Sequence, residues 1–267
     1  MSPSLDSPTD APSHSPRLSV LITGGASGIG LAITRHFASQ GHMVAVLDVN
    51  SKTGPDVVAQ VAKDYPEATV TFKWCDVSSW EGQYAVFDQA YREHGDRIDI
   101  VIANAGISDP VVGALDCTPT EFPRKPQLRM QDINLNGVIY SVGLAVHYML
   151  KNEMGSRLPD SRGSIAGIVG LVRSMAVRLE EPKIQINALA PGALETNIAP
   201  DKDLFKHMVI TPMSTLIKAV AQFVTEPSRT GQVAELNEET ITMRPHVEYA
   251  NAGAEHNNKM FWKLGYA

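Results

Sequence analysis

The chain has 267 residues, 43% of them apolar and 19% charged, with a formal net charge of −6. That length and balance suit a soluble globular chain with one large core and argue against a disordered or fibrous one. The excess of carboxylates speaks against a nucleic-acid or anionic-membrane surface, which would need clustered Lys and Arg. No apolar run approaches the roughly 20 residues that span a bilayer.

The opening MSPSLDSPTDAPSHSPR, residues 1–17, is rich in Ser and Pro and reads as a disordered tail without the apolar core of a secretory signal. The remainder, 18–267, shows no internal repeat and reads as a single domain. LSVLITG is a continuous apolar run of strand type, followed by glycines and the helical pattern IGLAITRHFASQG. HMVAVLDV, ATVTFKWCDV and IDIVIANAG repeat the theme as strands, with helices predicted through PDVVAQVAKDY and EGQYAVFDQAYREHG between them. A long helix follows in INLNGVIYSVGLAVHYMLKN, then a strand in KIQINALAPG and an edge strand in GQVAEL. Strands apolar on both faces, alternating with amphipathic helices, predict an α/β fold: a doubly wound parallel sheet of Rossmann type.

The first strand-to-helix turn is Thr23-Gly24-Gly25-Ala26-Ser27-Gly28-Ile29-Gly30. Glycines at this spacing let the backbone approach a pyrophosphate, on which the following helix directs its positive N-terminus. Asp48 ends the second strand, where a carboxylate accepts hydrogen bonds from the adenosine ribose and repels a 2′-phosphate. Val49 and Asn50 beside it bring no positive charge, so NAD is expected rather than NADP.

TGGASGIG, Asp76 in CDV, Asn104-Ala105-Gly106, Asn134 in INLNG and Pro191-Gly192 in PGALET together resemble the short-chain dehydrogenase/reductase family. The tail EYANAGAEHNNKMFWKLGYA more loosely resembles fungal relatives of hydroxyprostaglandin dehydrogenases. The resemblance implies that a cofactor is held by Thr23, Gly24, Ser27, Gly28, Ile29 and Gly30 in the turn, and by Asp48. Asp76 and Val77 would contact the adenine, and Asn104, Ala105 and Gly106 would support the cofactor side of the sheet. Pro191, Gly192, Leu194 and Thr196 would hold the nicotinamide end. It also implies an alcohol–ketone oxidoreductase acting on a small molecule. Asn134 would be a catalytic residue, anchoring a water relay.

The same family relies on a serine, a tyrosine as proton donor and acceptor, and a lysine four residues after the tyrosine. None of the seven tyrosines here has a lysine at that spacing. Tyr148 with Lys151 is the nearest imitation, placed far along the helix after Asn134 and expected to be a surface pair. Counting back from Pro191 by the family's usual interval lands on Ile165, inside RGSIAGIVG. Strand-type sequence stands on one side of that point and helix-type sequence on the other, so the unit near 163–181 is truncated.

Two repairs are open: a three-residue strand leading into a helix, or a longer strand through SIAGIVG that turns at Gly170. The first leaves a hole in the central sheet, so the second is preferred although its closure is tight, with a helix ended by Pro182; in either case Leu171, Met175 and Leu179 mark an apolar helix face. The truncated helix usually forms a subunit interface in this family, which puts the usual homo-oligomer in question.

Three functional readings follow: a weakened NAD-dependent oxidoreductase, a cofactor-binding protein with another use, or a shortened variant of an active dehydrogenase. Asp109, Arg129 and Asp132 are the charged candidates for a remodelled pocket. The two cysteines, Cys75 and Cys117, are far apart and suit a reducing compartment, the cytoplasm, and the eight histidines are too scattered to suggest a metal.

Overall fold

The computed structural model describes residues 16–108, 127–155, 164–166, 169–196, 202–226, 228–244 and 250–264. Residues 1–15 of the expected tail, Asp109 and Cys117 lie outside them. Arg17, assigned to that tail, is instead anchored: its guanidinium donates to Gly41 O at 2.8 Å and Thr69 Oγ1 at 2.7 Å.

The strands are β1 (Ser19–Thr23), β2 (Met43–Asp48), β3 (Thr69–Trp74), β4 (Ile100–Ala103), β5 (Ser164–Ala166), β6 (Gln185–Pro191), β7 (Val233–Asn237) and β8 (Thr240–Arg244). They form one sheet in the order β3-β2-β1-β4-β5-β6-β7-β8, parallel except for the β7–β8 pair. Because β1 continues to β2 and β3 on one side and β4 lies on the other, the chain reverses its direction of winding between β1 and β4. GQVAEL, expected at the edge, is therefore an inner strand; β8 covers it and takes the edge itself.

The pleat sends alternate side chains to opposite faces. Val20, Ile22, Val44, Val46, Ile100 and Ile102 meet α1 (Gly28–Ser39), α2 (Gly54–Asp64) and α7 (Met213–Thr225) on one face. Leu21, Ala45, Leu47 and Val101 meet α3 (Trp80–Glu93), α5 (Gly137–Gly155) and α6 (Val169–Leu179) on the other. One turn, α4 (Arg129–Gln131), and a π-helical turn over Asp132–Asn136 run directly into α5. The last helix, α8 (Ala252–Leu264), is capped by Asn251, whose Oδ1 accepts from Ala254 N–H at 2.9 Å.

Within Arg129–Asn152 the most apolar 18-residue window has a mean hydropathy of 1.2, so by length and composition this helix could cross a bilayer although no continuous apolar run of that length is present. One face of it is used inside the protein, where Val138, Val142, Ala145 and Met149 pack on the sheet, while Leu135, Ile139 and Leu150 are exposed. Tyr148 is also in this core and fully buried, so it is not half of a surface pair.

At the truncated unit the structure takes the shorter of the two repairs. β5 has three residues, paired Ile100↔Ser164 to Ile102↔Ala166 on one side and Ser164↔Gln185 to Ala166↔Asn187 on the other. Gly170 is in the first turn of α6, not at a strand end. The lengths explain the outcome. Eleven helical residues run back about 16 Å, which covers a strand of about 10 Å but falls short of one twice as long. Val172, Ala176 and Leu179 are the buried face of α6, with Leu171 and Met175 at its margin.

At the opposite rim of the sheet from the strand C-termini, His94 is buried with Nδ1 2.7 Å from Ser19 Oγ, while its Nε2 has no partner. Burial, reinforced by Lys73 and Arg17 against the opposing Glu93, lowers its pKa from 6.5 to about 4. The unfolded chain thus binds a proton that the folded chain refuses. The histidine's contribution is complete above pH 6.5 and is lost as pH falls toward 4. Denaturant melts of the parent and His94→Asn should diverge in slope across that window, by up to about 1.4 kcal/mol per pH unit. The difference isolates His94 from Asp99, whose burial raises its own pKa and acts with opposite sign near the carboxylate range.

Candidate nucleotide site

The winding reversal between β1 and β4 leaves a crevice at the strand C-termini, where doubly wound sheets place their ligands. A cleft of about 590 Å³ occupies it, within the range of small-molecule sites.

The glycine turn forms its floor. Gly24 has φ +65° and Gly28 φ +50°, and a Cβ on Gly24 would lie 2.8 Å from Ala105 Cα. A Cβ on Gly30 would stand 2.1 Å from Gly24 O, so this position admits only hydrogen there. Ser27 occupies the N-cap of α1, yet its side chain makes no capping bond and the first turn carries no acidic residue. That helix end keeps its positive pole for an external anion. In α3, by contrast, Ser79 Oγ accepts from Gly82 N–H.

The turn is braced from β4. Thr23 Oγ1 accepts from Asn104 N–H at 3.0 Å and Ala105 N–H at 3.1 Å. The Asn104 amide donates to Thr23 O at 3.1 Å and Gly24 O at 3.3 Å. On the other flank Asp48 is buried; Oδ2 accepts from Ala26 N–H at 3.1 Å and Oδ1 from Asn50 N–H at 3.0 Å. These bonds hold the carboxylate at the cleft wall and leave each oxygen capacity to accept a further bond.

Asp76 Oδ1 accepts from both the N–H and the hydroxyl of Ser78, fixing the loop after β3. Below it, the buried Gln83 amide donates to Val77 O at 2.6 Å and Gly137 O at 2.8 Å. Ser141 Oγ donates to Gln83 Oε1, closing a buried network that sets α5 against this loop. Cys75, between Asp48 and Asp76, has its thiol pushed up to about 12 by burial and those two carboxylates. It stays a neutral thiol.

Of the residues expected to hold a cofactor, Gly24, Ser27, Gly28, Ile29, Asp48, Asp76, Val77, Asn104, Ala105, Gly106 and Thr196 line the cleft. Thr23 and Gly30 act from beneath it. Pro191, Gly192 and Leu194 do not reach it: Gly192 N–H donates to Leu236 O at 2.7 Å and Leu194 is packed in the core. Asn134 is not in the cleft wall either. It clamps the loop after β4, accepting from Ile107 N–H and donating to Ile107 O, both at 2.9 Å. Leu47, Val49, Cys75, Ser78, Ile107, Ser108 and Ile133 line the cleft without having been expected. Each adjoins an expected residue, and that adjacency was the signal available. Arg129 and Asp132, candidates by charge alone, do reach the wall.

The tyrosine with the nearest lysine serves elsewhere. Tyr148 donates its hydroxyl to Asp88 Oδ1 at 3.1 Å, and Lys151 Nζ stands 4.9 Å from its ring centroid. Burial and then the Asp88 bond raise its pKa, which makes it a structural phenol.

Residues 19–157, slightly over half of the chain, match the family model for short chain dehydrogenases. The chain belongs to the short-chain dehydrogenase family. Among its relatives is the short-chain dehydrogenase/reductase prx6 of Penicillium rubens, 29% identical over 235 residues, covering 79% of this chain and 76% of that protein. The prx4 protein of Penicillium roqueforti is 35% identical over 197 residues, covering 68% of this chain and 56% of its own length. A crystal structure of levodione reductase superimposes with a TM-score of 0.67 at 25% identity, covering 83% of this short-chain dehydrogenase and 96% of that chain.

The two helical extremes of glycine contact give a paired test. Gly30→Ala should lower unfolding free energy by about 2 kcal/mol or more through the clash with Gly24 O. Gly143→Ala in α5, where a Cβ meets nothing within 4 Å, should raise it by about 0.5–1 kcal/mol. Urea melts of both variants decide.

Proposed function

We propose that this chain binds NAD in preference to NADP and catalyses alcohol–ketone interconversion only slowly. The observation that carries the proposal is a cleft that combines a buried, oriented Asp48 with a wall holding no tyrosine, lysine or histidine among the described residues.

The residues present fit the adenosine side of a dinucleotide. Asp48, oriented by the Ala26 and Asn50 N–H groups, would accept from the ribose hydroxyls. The uncapped start of α1 would face the pyrophosphate. Val77 and Ile133 would offer apolar walls to the adenine. A bound nicotinamide supplies the hydride acceptor or donor. The chain itself must then move the hydroxyl proton, and here it is poorly equipped. Cys75 keeps its proton, and no phenol paired with an ammonium exists at the required spacing in the sequence.

A second reading is favoured by one observation. In RGSIAGIVG a three-residue strand meets helix-type sequence where the family carries its tyrosine and lysine, which accords with a segment absent after Ile165. The chain would then be a shortened variant of an active dehydrogenase.

Two measurements test these readings. Turnover of secondary alcohols with NAD should fall about 10²–10⁴-fold below that of a relative with the full proton relay. Restoring the corresponding prx6 segment between Ile165 and Ala166 should recover it; parent turnover equal to that of such a relative would refute the proposal. Asp48→Ala should weaken NAD binding about tenfold and abolish the preference over NADP, read by calorimetric titration with both nucleotides.

A further inference from the structure

The cleft is drawn almost wholly from one half of the sheet. Its walls come from the ends of β1 to β4, the start of α1 and the turn that leads into α5. From the half beyond β4, Thr196 is the one described residue that reaches it. A dinucleotide straddles both halves of such a sheet, one nucleotide on each.

Among the described residues, the second half is engaged within the protein itself. β5 ends at Ala166, opposite Ile102 and one residue short of the end of β4. After β6, Gly192 N–H is bonded to Leu236 O, Ala193 bridges to Ile210, and the Leu194 side chain is in the core. Gly192, Ala193 and Leu194, the described residues that directly follow β6, are thus engaged internally and not turned to the cleft. The first half is complete: a carboxylate for one ribose, an uncapped helix start for phosphate, and apolar walls for a base.

We propose that the cleft recognises the adenosine diphosphate half of its ligand alone, so that ADP-ribose and ADP bind as tightly as NAD. The second ribose and the nicotinamide contribute little binding free energy. This rests on the reading of the cleft as a nucleotide site and specifies its ligand class as adenosine diphosphates.

Calorimetric titration of the full chain with NAD, ADP-ribose, ADP and nicotinamide mononucleotide tests it. The expected result is dissociation constants for NAD, ADP-ribose and ADP within fivefold of one another, with no saturable binding of nicotinamide mononucleotide. NAD binding more than fivefold tighter than ADP-ribose or ADP would overturn the half-site and leave the proposed NAD site standing, as would saturable binding of nicotinamide mononucleotide. Absence of binding by all four would overturn both. Melting temperature followed in the same samples shows that the titrated protein is folded, and it should rise equally with NAD and ADP-ribose at equal saturation.

Discussion

The clasp between Thr23 and Asn104 is the constraint on which the rest of the cleft depends. One hydroxyl gathers two backbone N–H groups from the loop after β4, and one amide returns two bonds to the carbonyls at the end of β1. The two strands that part at the winding reversal are thereby pinned at the point where they would otherwise splay. With that point fixed, the glycine turn has a single course, and Gly30 must pass under Gly24 with no room for a side chain. Asp48 is brought to the same place by a bond from the turn itself, through Ala26 N–H. Turn, carboxylate and β4 loop are therefore one rigid unit.

A second network, centred on Gln83, does for the far wall what the clasp does for the floor. Its amide holds Val77 and Gly137 carbonyls together, and Gly137 permits the approach because a Cβ there would lie 3.0 Å from Val77. Buried polar groups satisfied in this way favour one arrangement over its neighbours, since any slip would strand a donor away from water. The cleft is consequently shaped by hydrogen bonds from below and keeps the polar groups at its surface available.

Much of this was legible in the sequence because it is local. Apolar runs of strand length, glycines at fixed spacing and a carboxylate at the end of the second strand each determine their own neighbourhood, and the sheet order follows from alternation with helices. What was not legible depends on length and distance. The choice of a three-residue β5 follows from the reach of an eleven-residue α6, which the pattern RGSIAGIVG does not display. TITMR alternates polar and apolar at every position, but it is short and buries neither face fully, so it gains its place by pairing with β7. Tyr148 looked like a surface residue by its position in the helix; its partner Asp88, sixty residues away in sequence, is what marks it as buried. Likewise Pro191, Gly192 and Leu194 match a motif, yet their surroundings turn them inward.

The brevity of β5 has a mechanical consequence. Strands on either side of it are tied together through three residues of ladder, whereas β2 and β3 share a register of six and β6 and β7 one of four. The sheet therefore has a built-in seam. Cooperative opening of a sheet begins where the fewest amides must be released, so the slab β3-β2-β1-β4, which carries the cleft, and the slab β6-β7-β8 are separable along that line. Amide protons of Ser164–Ala166 and of their partners would exchange ahead of the rest of the core, and the short central strand would be a fault line through the most protected layer of the sheet.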